Sequence, residues 1–224
     1  MLHPIVVGAL DTNCWVVHDQ GKALVVDPGD EGERILDGLA GLDVVGLVLT
    51  HAHWDHVLAL QDLRERLDVP VLAHPAETAV WEHELRHAEQ TGHWDAGTAT
   101  DELLPTGQLA FDSQAKLWDG VIDQELADGD VLQVAGLTVI HTPGHTPGSL
   151  TFKLPGQLLT GDTLFPGGPG LTGWPLSDFP TIMRSVDHLL TTADHSTTIH
   201  PGHGRSTVAS AERPHLKEWR ARGW

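Results

Sequence analysis

Val44-Val45-Gly46-Leu47-Val48-Leu49-Thr50 runs directly into His51-Ala52-His53-Trp54-Asp55-His56. The first seven residues are apolar and rich in valine, the pattern of a strand buried on both faces. At the end of such a strand, side chains two apart point the same way, so His51 and His53 can converge on one ion. A turn into a following helix then presents Asp55 and His56 to a second ion. Three imidazoles and a carboxylate beside a buried strand are costly without an ion or hydrogen-bond partners. A chance H-x-H-x-D-H is expected on the order of 0.007 times in a chain of this length and composition, so a merely polar loop explains it poorly.

Composition agrees with a metal-binding enzyme and excludes other classes. The chain has 224 residues, 40% of them hydrophobic, which suits one domain with a substantial core and rules out intrinsic disorder. Its 31 Asp and Glu against 13 Lys and Arg give a formal charge of -18, which repels polyphosphate backbones, so nucleic acid is not an expected partner. No stretch approaches the roughly 18 apolar residues of a membrane span, and MLHPIVV at the start lacks signal-peptide features. A cytoplasmic protein acting on a small molecule, with no membrane partner, is expected. Cys14 is the one cysteine, so neither an intrachain disulfide nor a multi-thiolate metal site can form. Sixteen histidines and no tyrosine make imidazole the prominent functional group.

Periodicity places strands at 4–8, 12–18, 23–27 and 45–50, with a helix at 30–42 between the last two. A helix at 58–67, a short strand at 70–73 and a helix at 75–90 follow. Residues 91–128 show little period and read as an insertion or cap on a single domain spanning 1–224. Further strands are expected at 131–134, 137–141, 149–154 and 157–160. A helix at 178–191, a strand at 197–200 and a helix at 206–220 complete the chain. Two strand-rich halves closed by helices suggest two sheets packed face to face with helices outside.

Three more chemistry-bearing residues sit where a strand opens into a glycine-rich turn: His145 in HTPGHTPGS, Asp162 in GDTLF and His203 in HPGHG. With DTNCWVV, VVDPGD and THAHWDH before them, these blocks resemble the metallo-β-lactamase superfamily, and within it the glyoxalase II-like hydrolases. The resemblance runs over nearly the whole chain. It implies an α+β fold, the four-layer αββα sandwich. It also implies that His51, His53 and His145 hold one metal, that Asp55, His56 and His203 hold another, and that Asp162 bridges them.

The same resemblance implies a dinuclear metal-dependent hydrolase in which Asp55 and Asp162 serve the catalytic centre and a hydroxide bridging the two ions attacks a thioester or related acyl group. A thioester suits a protein without tyrosine, because a thiol of pKa near 8.5 leaves without a strong general acid. Zinc is the expected metal, and iron or manganese fits the same donors. Asp162 stands where some true β-lactamases carry a cysteine, and the lack of tyrosine weakens a lactone or other ester hydrolase. The serious rival is a persulfide dioxygenase with one iron. Both it and many short glyoxalase II-like proteins carry G-x-G-R-T-D after the bridging Asp, where this chain reads GPGLTGW (168–174). Glyoxalase II proper resembles this chain plus a C-terminal helical extension that binds glutathione, and with about twenty residues after His203 glutathione recognition is not expected. A metal-binding module without turnover is the remaining class.

Around this centre, Asp27 either orients a ligating imidazole or caps the turn before Pro28 and Gly29. Phe165 and Trp174 are candidate substrate-binding rings, while Trp94, Phe111 and Trp118 either cap the site or pack the insertion onto the domain. His83-Glu84-Leu85-Arg86-His87 matches the zincin pattern H-E-x-x-H, but lacks a third ligand at zincin spacing and reads as a solvated helix face. His141 and His200 close strands just before metal motifs and are candidates to support a ligand. Cys14 reads as a buried, inert thiol.

Overall fold

The computed structural model describes residues 1–94 and 109–223. Six strands form the first sheet in sequence order: β1 (Leu2–Val7), β2 (Thr12–Asp19), β3 (Lys22–Val26), β4 (Asp43–Val48), β5 (Val71–Ala73) and β6 (Gln124–Glu125). The β1, β2 and β3 strands pair antiparallel, and β3 through β6 pair parallel. Parallel pairing requires crossovers. These are supplied by α1 (Gly32–Gly38) and by the run of α2 (Trp54–Val57) and α3 (Leu60–Leu67), while α4 (Glu77–Thr91) follows β5.

The second sheet contains β7 (Val131–Leu132), β8 (Leu137–His141), β9 (Leu150–Leu154) and β10 (Gln157–Gly161). After a hairpin of β11 (Leu164–Phe165) and β12 (Gly168–Pro169), α5 (Phe179–Thr192) leads to β13 (Thr198–Pro201) and β14 (Thr207–Val208). The order across this sheet is β14-β13-β10-β9-β8-β7. The chain closes with α6 (Ala209–Glu212), a 3₁₀ turn (Arg213–His215) and α7 (Leu216–Arg222).

Two-residue alternation sorts the strands' side chains into three apolar layers. Trp15, Val17, Leu24 and Val26 face Leu137, Val139, Leu150 and Phe152 between the sheets. Cys14, Val16, Val25 and Leu47 point the other way, onto Ile35, Leu60, Leu63 and Trp81 of the helices. On the far side, Leu158 and Ile199 meet Ile182, Val186, Leu189 and Leu190 of α5, residues at the spacing of one helical stripe. The result is the expected αββα sandwich.

Several boundaries differ from those read in the sequence, each for a local reason. A single helix expected at 206–220 is instead a short strand, α6, a 3₁₀ turn and α7. Pro214 lies in that turn and cannot donate the backbone hydrogen bond that would carry a continuous helix. The helix expected at 30–42 is the shorter α1, entered through Glu31 in a left-handed conformation. The β11–β12 hairpin was hidden because its strands are two residues long. Of the expected insertion, residues 95–108 lie outside the described residues. Its flanks are well packed: Trp94 and Trp118 are buried, and Trp94 stacks on Trp54 and on Trp81 with ring centroids 5.9 and 5.8 Å apart. Phe111 meets Trp94 edge-on at 5.2 Å, so these rings pack the insertion's flanks onto α2 and α4 within the apolar layer on that side of the first sheet.

Trp94→Ala is expected to destabilise the protein by about 3 kcal/mol, the scale of a large-to-small core substitution. Chemical denaturation followed by circular dichroism measures it, and a change below about 1 kcal/mol would contradict this packing role.

Candidate metal centre

The loops that follow β4, β8, β10 and β13 meet at one edge of the sandwich. Backbone hydrogen bonds hold them there: Leu150 N to Thr50 O (2.8 Å), Gly202 N to Gly161 O (2.9 Å) and Asn13 N to Gly202 O (2.7 Å). The Asn13 side chain adds bonds to the carbonyls of Pro201 and Gly204, both at 3.0 Å. The sharp bend after His53 opens α2, and the carbonyls of Pro28 and Gly29 accept from Ala59 N and Leu58 N beyond its end. Gly29 is required there, since a Cβ would lie 2.0 Å from the Asp55 carbonyl oxygen.

Side chains expected to bind metal converge in two groups. His51, His53 and His145 form one, and Asp55, His56 and His203 the other, with the ligand-type atoms of each within 4.8 Å of one another. His53 Nδ1 and His145 Nε2 are 3.0 Å apart. Across the second group, His203 Nε2 lies 3.1 Å from Asp55 Oδ2 and 3.3 Å from His56 Nε2. Asp162 stands between them: Oδ2 is 3.7 Å from His145 Nε2 and 3.5 Å from His203 Nε2, and Oδ1 is 3.6 Å from His56 Nε2. Gly202 makes room for this carboxylate, because a Cβ would fall 2.1 Å from Asp162 Oδ1.

Hydrogen bonds on the far side of each ring determine which nitrogen faces inward. His145 Nδ1 donates to Leu171 O (2.8 Å) and His203 Nδ1 to Leu10 O (2.9 Å). His56 Nδ1 donates to Asp27 Oδ2 at 3.0 Å. The Thr50 hydroxyl donates to that same carboxylate at 2.6 Å, so its oxygen must accept from His51 Nδ1 at 3.0 Å. Each of these four rings therefore presents an unprotonated Nε2 to the centre when neutral. Asp27 also accepts from Thr50 N at 2.7 Å. Its carboxylate thus bonds the His56 ring and both donors of Thr50. Thr50 was missed, although a hydroxyl residue ending an apolar strand beside a ligand histidine was a usable signal. Thr12, which donates to Asp55 Oδ2 at 3.2 Å, carried no such signal.

Electrostatics divides the two groups. Burial and neighbouring imidazoles push His51 well below the usual histidine range and His53 down to about 3, and burial lowers His145. Burial acts in the same direction on His56, but Asp55, Asp27 and Asp162 outweigh it and raise that ring to about 9. Burial is likewise overcome at His203, which Asp162 and Asp55 hold well above the usual range. The cationic rings in turn keep Asp55 and Asp162 ionised against the pull of burial.

A divalent ion fits both groups. His51 Nε2 and Asp162 Oδ1 are buried polar atoms without a hydrogen-bond partner, an expensive arrangement unless something accepts their lone pairs. Nitrogen and carboxylate donors without sulfur suit zinc, iron or manganese.

Aromatic rings flank the centre. Trp174 is half-buried and meets His145 and His53 edge-on at 5.0 and 5.4 Å, while Phe165 stacks over His203 at 6.4 Å. His141 and His200 touch no ligand: His141 Nε2 donates to Pro147 O, and His200 bonds Ser206 and Gln157. His83 and His87 belong to no metal-capable group among the described residues. Cys14 is buried, and burial raises its thiol well above the usual range. Among the described residues, no helix is long and apolar enough to cross a membrane.

Residues 7–211 match the family described as the metallo-beta-lactamase superfamily. A probable metallo-hydrolase of Bacillus subtilis, YqgX, is 31% identical over 213 residues, covering 92% of each chain. The hydroxyacylglutathione hydrolase GloC of Haemophilus influenzae is 31% identical over 217 residues, covering 93% of each. Among solved structures, TTHA1623 in a di-iron-bound form superposes with a TM-score of 0.74 at 31% identity, covering 94% of this chain and 96% of its own.

Asp27→Asn is expected to weaken metal binding by about tenfold or more, the usual cost of losing an outer hydrogen-bond partner of a ligand. Titration with zinc against a competing chelator measures it, and unchanged affinity in a folded variant would refute the orienting role.

Proposed function

The chain belongs to the metallo-beta-lactamase superfamily, and from that premise we propose a dinuclear metal-dependent hydrolase of the glyoxalase II-like type, acting on a thioester or related small acyl substrate. The observation that carries this reading is the place of Asp162, whose carboxylate stands within 3.7 Å of imidazoles from both ligand groups. A carboxylate so placed is within reach of an ion in either group, which supports a shared, two-ion centre over a single ion.

In this proposal His51, His53 and His145 hold one ion, Asp55, His56 and His203 hold the other, and Asp162 is common to both. Two divalent ions supply Lewis acidity toward a carbonyl and bring the pKa of water close to neutrality. Zinc is the proposed metal on its preference for nitrogen and oxygen donors, and the di-iron form of the similar TTHA1623 makes iron the first alternative. The chain's own part is orientation. Leu171 O and Leu10 O fix the rings of His145 and His203, and Asp27 fixes those of His51 and His56, so little rearranges as substrate arrives. Trp174 lies against His53 and His145 and Phe165 against His203, so each ligand group has an apolar ring beside it that can meet an acyl or thiol portion.

With no tyrosine in the chain, a leaving group that departs unprotonated is favoured, and a thiolate does so more readily than an alkoxide. The likeness to a hydroxyacylglutathione hydrolase supports a thioester. A cytoplasmic setting belongs to the same proposal: the single cysteine is buried and unpaired, so the fold asks for no oxidising compartment. The charge of -18 supports a small-molecule substrate over nucleic acid.

Elemental analysis of the purified protein, with a thioester hydrolysis assay read by thiol release, is expected to show two ions per chain and turnover. Asp162→Asn should lose bound metal and hydrolysis together, and retention of both would refute the site. One iron per chain, with oxygen uptake on a persulfide and no thioester hydrolysis, would overturn the reading in favour of a dioxygenase.

A further inference from the structure

Glu77, the first residue of α4, is fully buried and has no cationic partner among the described residues. Burying a carboxylate without a counter-charge is costly, and burial pushes this one up to about 7 against the hydrogen bonds that favour its charge. Those bonds are specific in where they lead. Oε2 accepts from Ala52 N at 2.7 Å, and Ala52 is the residue between His51 and His53. Oε1 accepts from Thr146 Oγ1 at 2.7 Å and from Gly148 N at 2.8 Å, in the turn that begins with His145. One carboxylate therefore joins the two backbone segments that carry all three histidines of the first ligand group.

The turn is closed around this anchor. Because the Thr146 hydroxyl donates to Glu77, it accepts from Ser149 Oγ at 2.7 Å, and Ser149 Oγ accepts from Thr146 N at 3.0 Å. A Cβ on Gly148 would lie 2.6 Å from Glu77 Oε1, so glycine permits the approach. Along the same segment, His74 stacks flat on His141 with centroids 4.4 Å apart, and His141 Nε2 donates to Pro147 O at 2.9 Å. Glu77 makes no comparable bond to the loops bearing His203 and Asp162.

We infer that Glu77 is a positioning residue for the three-histidine group, setting the separation of His51 and His53 from His145 and so the affinity of that site for its ion. The inference rests on the two-ion reading proposed above. Its test measures zinc affinity of the full chain against a chelator, with His145→Ala and His203→Ala assigning each binding constant to a group. Glu77→Gln keeps the shape but turns an amide NH₂ toward at least one N–H or O–H donor. It is expected to weaken the three-histidine site by about tenfold, on the scale of other outer partners of metal ligands, and to leave the second constant unchanged. Thr146→Val, which removes one of the three donors, should act in the same direction and less strongly.

Two outcomes with a normally loaded wild type overturn the inference alone: unchanged constants in Glu77→Gln, or equal weakening of both in step with a lower melting temperature of the metal-free protein. The latter would mark a purely structural carboxylate. A wild-type chain that binds no ion sensitive to His145→Ala would instead overturn the two-ion reading, and this inference with it.

Discussion

The arrangement turns on one buried carboxylate, that of Asp27, and the two groups it orients. Through the Thr50 hydroxyl it sets the proton on His51, and directly it sets the proton on His56. Those histidines belong to different ligand groups. A single acidic side chain at the end of β3 therefore determines which nitrogen one histidine of each half presents. The cost of burying it is offset by two hydroxyl and amide donors from Thr50 and by the imidazole N–H of His56. The backbone of Asp27 is itself in the left-handed region, φ 54°, an uncommon conformation for a residue with a side chain.

The sandwich makes such orientation possible because its two sheets contribute different parts. The first sheet supplies Asp27 and the contiguous His51 to His56 segment. The second supplies His145, Asp162 and His203 from three separate strand ends. Each of these two groups draws on both sheets, since His145 joins His51 and His53, and His203 joins Asp55 and His56. The apolar layer between the sheets, from Trp15 and Val26 to Leu150 and Phe152, thus holds the two groups in register. Close-packed interiors resist deformation, and that resistance is what keeps six ligands and a shared carboxylate in place.

Much of this was legible in the sequence, for identifiable reasons. His51, His53, Asp55 and His56 are contiguous and follow an apolar strand, so spacing and periodicity both report on them. His145, Asp162 and His203 each stand in a glycine-rich turn after a strand, though only the resemblance to a known family joined them to the first group. Asp27 could be read two ways, because VVDPGD is equally a turn sequence until its distance to Thr50 is known. Glu77 left no trace: its partners are two backbone amides and a threonine 69 residues away, and backbone donors have no residue-type signature. The same limit applies to Leu10 and Leu171, which contribute only carbonyl oxygens. Local signals failed where short elements were concerned, as at the β11–β12 hairpin and the interrupted C-terminal helices around Pro214.

The two ligand groups start from different electrostatic states, and this bears on how the fold and the ions relate. Asp55, Asp27 and Asp162 raise His56, and Asp162 and Asp55 raise His203, so the carboxylates of the acidic half favour charge on its own imidazoles. The three-histidine half is neutral and keeps His51 Nε2 unsatisfied, so what it lacks is an acceptor for lone pairs and not a counter-charge. Protons on His56 and His203 compete with an ion for the acidic half, whereas burial disfavours a proton on His51. Metal binding is coupled to proton release where ligands start protonated. The halves thus differ in kind as well as in composition. Hydrogen bonds to backbone support both halves, and the acidic half adds to them the attraction between its carboxylates and the rings of His56 and His203.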